Sequence, residues 1–263
     1  MGRSLEALQI QKEKMFNIKI PIPSTQTAFE MLAVQIHSLG WFKRNNRPYR
    51  LEYYQQLNNP IINAMIQDWD MDREEFFHKY QKQFKTKLYK KEQYAAQISQ
   101  VNEAISKLQP CYDRFEKLKK SWGFEILPTY YIDINMYGIG GSYYKDNDQC
   151  GHVVIGMGRQ FPIELLARTI GHEMIHLGIE DLIINPKRQK EPPVKQEEKE
   201  RIVDNLCIYT MKGFLPLERI WKGGVKSNYQ EVASSADYMD KIVGEQPENN
   251  LVLAVQKFLK DKE

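Results

Sequence analysis

Two histidines one helical turn apart set the strongest limit on the fold of this 263-residue chain. They belong to the segment His172-Glu173-Met174-Ile175-His176, whose neighbours on both sides are mostly leucine and isoleucine. Pro162 suits the first turn of a helix, so we expect one from Ile163 to about Leu177, ended by Gly178. Two imidazoles and a carboxylate on such an apolar helix are unfavourable unless another group pairs with them. The segment therefore predicts a helix whose polar side chains hold a ligand.

The spacing of the two histidines favours a metal ion as that ligand. Residues four apart lie on one face of a helix, so His172 and His176 can both reach one ion. Zinc accepts nitrogen ligands at about 2.0–2.1 Å and leaves a position open for water when three protein groups bind it. Glu173 follows His172 directly, beside the ion, where it can accept a proton from that water. The pattern predicts a mononuclear zinc site with Glu173 as general base.

A third protein ligand has to come from another part of the chain. The position six residues after His176 is Leu182, and no histidine lies downstream, so a carboxylate is expected. We favour Glu200 because it begins a helix predicted from about 197 to 211. It also has Asp204 four residues later, on the same face. Asp204 can accept the other ring N–H of a ligating histidine and so fix its orientation.

Other carboxylates remain possible as the third ligand. Glu180 and Asp181 follow the expected helix end at Gly178, so they would have to fold back sharply to reach the ion. Glu197 and Glu198 have no carboxylate four residues later. The full set of alternatives to Glu200 is Glu180, Asp181, Glu191, Glu197 and Glu198.

The order His172-Glu173-x-x-His176 followed by Glu200-x-x-x-Asp204 resembles the gluzincin branch of zinc metallopeptidases. The resemblance covers about residues 124–212. It implies His172, His176 and Glu200 as zinc ligands, Glu173 as general base, and Asp204 as the partner of a ligating histidine. It also implies an edge strand before the active helix to which an extended peptide adds, with 151–156 as the best candidate. The oxyanion donor stays open among His152, Tyr209 and Tyr229.

The pattern of apolar residues divides the chain into a helical first half and a mixed second half. Alternating β-forming residues predict strands at 128–137 and 152–157. We therefore expect an α+β fold, with a helical region over 1–110 packed on a zincin-like metallopeptidase domain over 111–263. That domain would hold a small twisted sheet and the HExxH helix. The helices expected in the first half include Ala28–Leu39, capped by Ser24 or Thr25, and Glu92–Gln109.

Composition narrows the classes of partner. The formal net charge of +3 gives no strong reason to expect nucleic acid or an anionic membrane. Cys111, Cys150 and Cys207 are too few for a disulfide framework, and no CxxC pair is present. No apolar run approaches the roughly 18–20 residues of a membrane span, and the N-terminal segment lacks a signal-peptide core. We expect a cytoplasmic protein with reduced thiols.

The function expected from these features is zinc-dependent hydrolysis of a peptide bond in a peptide or protein substrate, with Zn²⁺ as the cofactor. Two alternatives stay open. One is a zinc hydrolase that acts on a non-peptide amide, for which a pocket closed to extended chains would be typical. The other is a catalytically inactive binding or scaffold protein that keeps the zincin shape.

Overall fold

The computed structural model describes residues 15–40, 54, 57–147, 149–158, 161–183 and 196–215. These residues form an α+β fold with one mixed four-stranded sheet, which confirms the predicted α+β class, while the zincin-like core stays a prediction. None of the helices in these ranges is both long enough and apolar enough to cross a membrane. The helices are α1 (Thr25–His37), α2 (Pro60–Gln67), α3 (Arg73–Gln83), α4 (Tyr94–Leu108), α5 (Tyr112–Trp122), α6 (Ile163–Ile183) and α7 (Gln196–Met211). The strands are β1 (Ile18–Lys19), β2 (Thr129–Asn135), β3 (Ile139–Asn147) and β4 (Cys150–Met157).

Local sequence signals account for the ends of the first helix. Ser24 is the N-cap of α1, and its Oγ accepts a hydrogen bond from the backbone N–H of Thr27 at 3.1 Å. That bond satisfies one of the donors that a helix start leaves without a partner. Ala28, Phe29 and Leu32 then form part of the buried face, so the predicted helix in this region is confirmed.

The strand order in the sheet is β1-β2-β4-β3. β2 pairs with β4 in parallel, and β3 pairs with β4 in the antiparallel direction. β4 therefore lies inside the sheet, and the prediction that 151–156 forms its edge is wrong. The edge is formed by β3, which begins at Ile139 and is long enough to cover the whole free side of β4.

Helix α6 does not end at Gly178, so the predicted helix end is also wrong. The helix continues to Ile183. A Cβ atom at Gly178 would lie 2.1 Å from Cζ of Phe124, so it would clash with the edge of the aromatic ring. Glycine is thus present because a ring packs against the helix backbone. The extra turn places Glu180 and Asp181 on the same helix as the two histidines.

The buried apolar side chains form two clusters. One joins α1, α2 and α3, and the other joins α4 to α7 with the sheet. At Gly171, a Cβ atom would lie 3.0 Å from Leu108 of α4 and 2.9 Å from Met211 of α7. Both helices therefore approach α6 closely, one residue before His172. Although α4 lies within 1–110, it packs on the motif helix; a domain boundary after residue 110 stays a prediction.

Candidate metal centre

The candidate centre lies between α6 and α7. α6 carries His172, Glu173 and His176, and α7 carries Glu200 in its first turns. The absence of a side chain at Gly171 lets Met211 at the far end of α7 approach the backbone of α6. The two helices are thus held together by apolar contacts at one end of α7 and bring their polar residues together at the other.

Three side-chain atoms converge at this place. Nε2 of His172 and Nε2 of His176 are 3.1 Å apart. Oε2 of Glu200 lies 3.6 Å from the first nitrogen and 3.5 Å from the second. For a tetrahedral zinc ion with ligands at about 2.0–2.1 Å, simple trigonometry separates neighbouring donor atoms by roughly 3.3–3.4 Å. The spacing of the three atoms therefore fits a single ion of that kind, and His172, His176 and Glu200 form a group that could hold one.

Exposure indicates from which side this group is open. The side chain of His176 is 3% exposed, that of His172 is 24% exposed and that of Glu200 is 45% exposed. His176 is therefore enclosed by the described residues, while His172 is partly exposed and the Glu200 carboxylate borders the solvent.

The pKa values of His172, His176 and Glu200 reflect their burial and their contacts with neighbouring side chains. Burial alone would raise the pKa of the Glu200 carboxyl, but its contacts with His172 and His176 outweigh burial and hold that pKa well below its usual range. Burial lowers the pKa of His176. Burial also opposes protonation of His172, yet its contacts with Cys207 and Glu200 raise its pKa well above the usual value. The group thus combines an ionised carboxylate with a neutral imidazole at His176. Metal binding requires His172 to be neutral as well, so an ion would compete with the proton that these contacts favour on His172.

The second ring nitrogens of the two histidines have different surroundings. Nδ1 of His172 lies 3.6 Å from Sγ of Cys207 and 3.9 Å from Oδ1 of Asp204. Asp204 thus lies near the ring nitrogen that it is predicted to bind, although beyond hydrogen-bond distance. Cys207 lies nearer to the same nitrogen. Sequence reasoning missed Cys207, although it follows Glu200 by two helical turns and so shares its face. Nδ1 of His176 is buried and has no hydrogen-bond partner among the described residues.

Glu173 is buried beside the edge strand. It is 7% exposed, and a Cβ atom at Gly141 of β3 would lie 2.4 Å from its Oε1. The edge strand therefore touches the carboxylate that the sequence predicts as general base. A side chain at this position would occupy the space of the carboxylate, so Glu173 would have to move.

Glu180 belongs to a separate polar network next to the three converging atoms. Its Oε2 accepts hydrogen bonds from Lys199 at 2.6 Å and from the hydroxyl of Tyr143 at 2.8 Å. The Lys199 ammonium also donates to the Tyr143 hydroxyl. The Tyr143 ring stacks on His176, with centroids 4.7 Å apart and planes 10° from parallel. The network joins α6, α7 and β3 around Glu180, one of the alternative third ligands. No local sequence pattern indicates this network.

The remaining carboxylate candidates are not among the three converging atoms. Asp181 binds Lys145 of β3 at 2.8 Å, one residue beyond Glu180. The predicted sharp fold back of Glu180 and Asp181 does not occur, since both continue α6. Glu191 and the side chains of Glu197 and Glu198 lie outside the described part of the structure.

Two of the three candidates for an oxyanion donor, His152 and Tyr209, lie among the described residues. His152 stacks on Tyr144, whose side chain points to the sheet face opposite to that of Tyr143. Tyr209 is buried in the apolar cluster between α5 and α7. Tyr229 lies outside the described residues. The structure therefore leaves the donor unassigned.

Comparison of the chain with models of protein families, with curated proteins and with solved structures gave no significant match.

Proposed function

We propose that this protein is a zinc-dependent hydrolase with a zincin-like core, and that it cleaves peptide bonds. The observation that carries the proposal is the triangle of 3.1, 3.5 and 3.6 Å formed by donor atoms of His172, His176 and Glu200. Two of these residues share one helix and the third comes from another, the arrangement that the gluzincin resemblance implies. Glu173, next to the first ligand and enclosed by β3, is suited to move a proton.

The residues divide the work of hydrolysis in a simple way. Bound zinc supplies a Lewis acid that polarises the scissile carbonyl and makes water a better nucleophile. Glu173 accepts the proton of the attacking water and later returns it to the leaving amine. Burial at 7% exposure keeps its carboxylate in one orientation, against Gly141. Tyr143 stacks on the His176 ring, and Glu180 and Lys199 bind the Tyr143 hydroxyl. These three residues position His176 and take no part in bond breaking.

The edge strand supports a peptide as the substrate. No strand lies beyond β3 among the described residues, so the outer N–H and C=O groups of β3 can pair with an extended chain. Gly141 of the same strand touches Glu173. A peptide bound along β3 would therefore pass within a few residues of the general base, as a strand-pairing protease requires.

The first experiment measures the metal and the activity separately. We expect one zinc per purified chain by elemental analysis, and loss of that zinc in His172→Ala, His176→Ala and Glu200→Ala. Glu173→Gln should keep the zinc and lose roughly 10²–10⁴-fold in peptide hydrolysis, because only the general base is removed. Glu164→Gln, in the first turn of the same helix, is the matched control. It should change neither the zinc content nor the rate of peptide hydrolysis.

Three outcomes would contradict the proposal. Absence of stoichiometric zinc from the purified chain would remove its chemical basis. Full hydrolysis by Glu173→Gln would assign catalysis to another group. Zinc binding without cleavage of any peptide in a degenerate library would favour a scaffold protein, or a hydrolase of small amides if those were cleaved instead.

A further inference from the structure

A row of four side chains crosses the sheet on the face opposite to the candidate centre. Each strand contributes one residue, and the pairing register places Lys19, Tyr131, His152 and Tyr144 side by side. The Tyr131 and His152 rings stack with centroids 4.9 Å apart, and the His152 and Tyr144 rings with centroids 4.4 Å apart. The Lys19 ammonium lies 5.6 Å from the centre of the Tyr131 ring. The row is thus a continuous stack that ends at the edge strand.

A buried carboxylate fixes the orientation of this stack. Asp133 is 6% exposed, and its Oδ2 lies 2.6 Å from Nδ1 of His152. The same oxygen accepts a hydrogen bond from the Tyr144 hydroxyl at 3.3 Å. Both rings are therefore held at their polar ends as well as through their faces. Tyr144 cannot turn away from the sheet edge without losing both contacts.

The last ring of the row has one open face. Tyr144 lies on the edge strand, and one face of its ring is covered by His152 of the neighbouring strand. The other face points past the edge of the sheet, and the residue is 47% exposed. Asp146 follows two residues later, where the pairing of β3 with β4 shifts its register, and it is exposed. Burial and Asp133 raise the pKa of the Tyr144 hydroxyl, and Asp146 is close enough to raise it further. An aromatic face and a carboxylate thus lie next to each other where the sheet ends.

We propose that Tyr144 and Asp146 form a subsite for a cationic side chain, preferably arginine, of a peptide that pairs with β3. The inference rests on the proposed function, because it specifies the substrate of that site. A peptide strand that pairs with β3 would point alternate side chains to the sheet face that carries Tyr144. The side chain directly opposite Tyr144 would continue the row. A guanidinium group stacks on a tyrosine face and forms paired hydrogen bonds with a carboxylate. An uncharged aromatic side chain would use only the first of these contacts.

Both contacts are partly exposed, so the expected preference is moderate. A cation on an exposed ring and an exposed ion pair together correspond to a roughly 3- to 30-fold gain in affinity. Salt should reduce the part that comes from Asp146, because its carboxylate is exposed. The preference should therefore fall as the ionic strength rises.

The test compares peptides that differ in one charge. Fluorescein-labelled octapeptides of alanine and threonine carry one arginine, moved through the eight positions, or citrulline at the same position. Their dissociation constants are measured by fluorescence anisotropy with the full-length, zinc-loaded Glu173→Gln variant. We expect tighter binding of the arginine peptide, by roughly 3- to 30-fold, at one position or at positions two apart. Tyr144→Leu and Asp146→Asn should each reduce this ratio.

Ser142→Ala is the matched control, since Ser142 is exposed on the same side of β3. It should keep the full ratio. Equal affinities for arginine and citrulline peptides at every position, or no binding of either, would overturn the subsite. So would an arginine preference that persists in both Tyr144→Leu and Asp146→Asn.

The outcome of this test is distinct from that of the hydrolase proposal. An arginine preference in binding, without cleavage by the wild-type protein, would keep the subsite and reject hydrolysis. Cleavage by the wild-type protein without any such preference would keep hydrolysis and reject the subsite.

Discussion

At the scale of single residues, the Nδ1 atom of His172 lies near two side chains of α7, a carboxylate and a thiol. When Nε2 binds a metal, Nδ1 carries the proton and needs an acceptor. A carboxylate accepts a charge-assisted hydrogen bond, whereas sulfur is a weak acceptor. We therefore expect Asp204 to be the partner in the zinc-bound protein, although Cys207 is 0.3 Å closer here, at 3.6 against 3.9 Å.

The prediction is that Asp204→Asn lowers zinc affinity by roughly 10- to 100-fold, as loss of such partners usually does. Cys207→Ala should change it far less, because Asp204 remains. The dissociation constants can be measured by competition with a chromophoric chelator. Equal losses in the two variants would identify the thiol as a partner of the same importance.

At this scale, sequence reasoning can relate residues that lie on one helix. That His172 and His176 face the same side could be predicted because the 3.6-residue period fixes their relation. Glu200 could be proposed from its own helix and from Asp204, and the structure brings it within 3.6 Å of both histidine nitrogens. Gly141 and Tyr143 were not found, since they come from a strand whose register no local pattern reports.

At the scale of secondary-structure elements, one ion pair joins the two helices of the candidate centre to the edge strand. The Lys199 side chain is 8% exposed, and Glu180 and Tyr143 both contact its ammonium. Lys199→Met would leave the Glu180 carboxylate partly buried without its cation. Because Glu180 is 23% exposed, we expect a loss of about 2–3 kcal/mol in the free energy of unfolding, below the usual value for fully buried pairs.

Urea denaturation of the metal-free protein measures this loss directly. Lys79→Met is the matched control, because Lys79 also forms an ion pair at 2.6 Å, with Asp68, but is half exposed. It should have little effect. A stability of Lys199→Met equal to that of the wild type would show that the network does not hold the helices together.

Gly178 within α6 leads to a prediction that distinguishes a glycine required by packing from a glycine that ends a helix. Gly178→Ala improves helix propensity, so a purely local view expects a gain in stability. The Phe124 ring leaves no space for the added methyl group, whose Cβ would lie 2.1 Å from Cζ. We expect the free energy of unfolding to fall by about 1–3 kcal/mol, measured by denaturant titration.

A second substitution tests the cause. Phe124→Leu removes the ring edge, so the cost of Gly178→Ala should be smaller in that background, as a double-mutant cycle would record. A stabilising effect of Gly178→Ala alone would contradict the packing explanation. The prediction that the helix ends at Gly178 was wrong for this reason. In the sequence, a glycine at which the chain turns cannot be distinguished from a glycine against which an aromatic ring packs.

At the scale of the whole molecule, the candidate centre connects helices that otherwise share mainly apolar contacts. Zinc bound by His172, His176 and Glu200 would hold α7 against α6 and so favour the folded chain. Free zinc at 100 times its dissociation constant should add about 2.7 kcal/mol to the free energy of unfolding. The melting temperature should therefore rise with zinc and fall on chelation.

Glu200→Ala provides the control for this effect, since zinc should stabilise it much less at the same concentration. A melting temperature that does not respond to zinc in the wild-type protein would exclude a folded-state site of this affinity.

The fold class could be predicted at this scale because helical and alternating segments are distinct in the sequence. The strand order was not predicted, although the apolar run of β4 is typical of an inner strand and the polar residues of β3 are typical of an edge strand.

For the proposed hydrolase, the contact between Gly141 and Glu173 has a consequence for inhibition. The carboxylate rests directly on the backbone of the outermost strand, so any compound that bends or shifts that strand also moves the carboxylate. A peptide mimic lying along β3 can thus act on the proposed base without carrying a metal-chelating group. Such a compound would differ from chelators, which attack every zinc enzyme alike, because it depends on a shape that belongs to this chain.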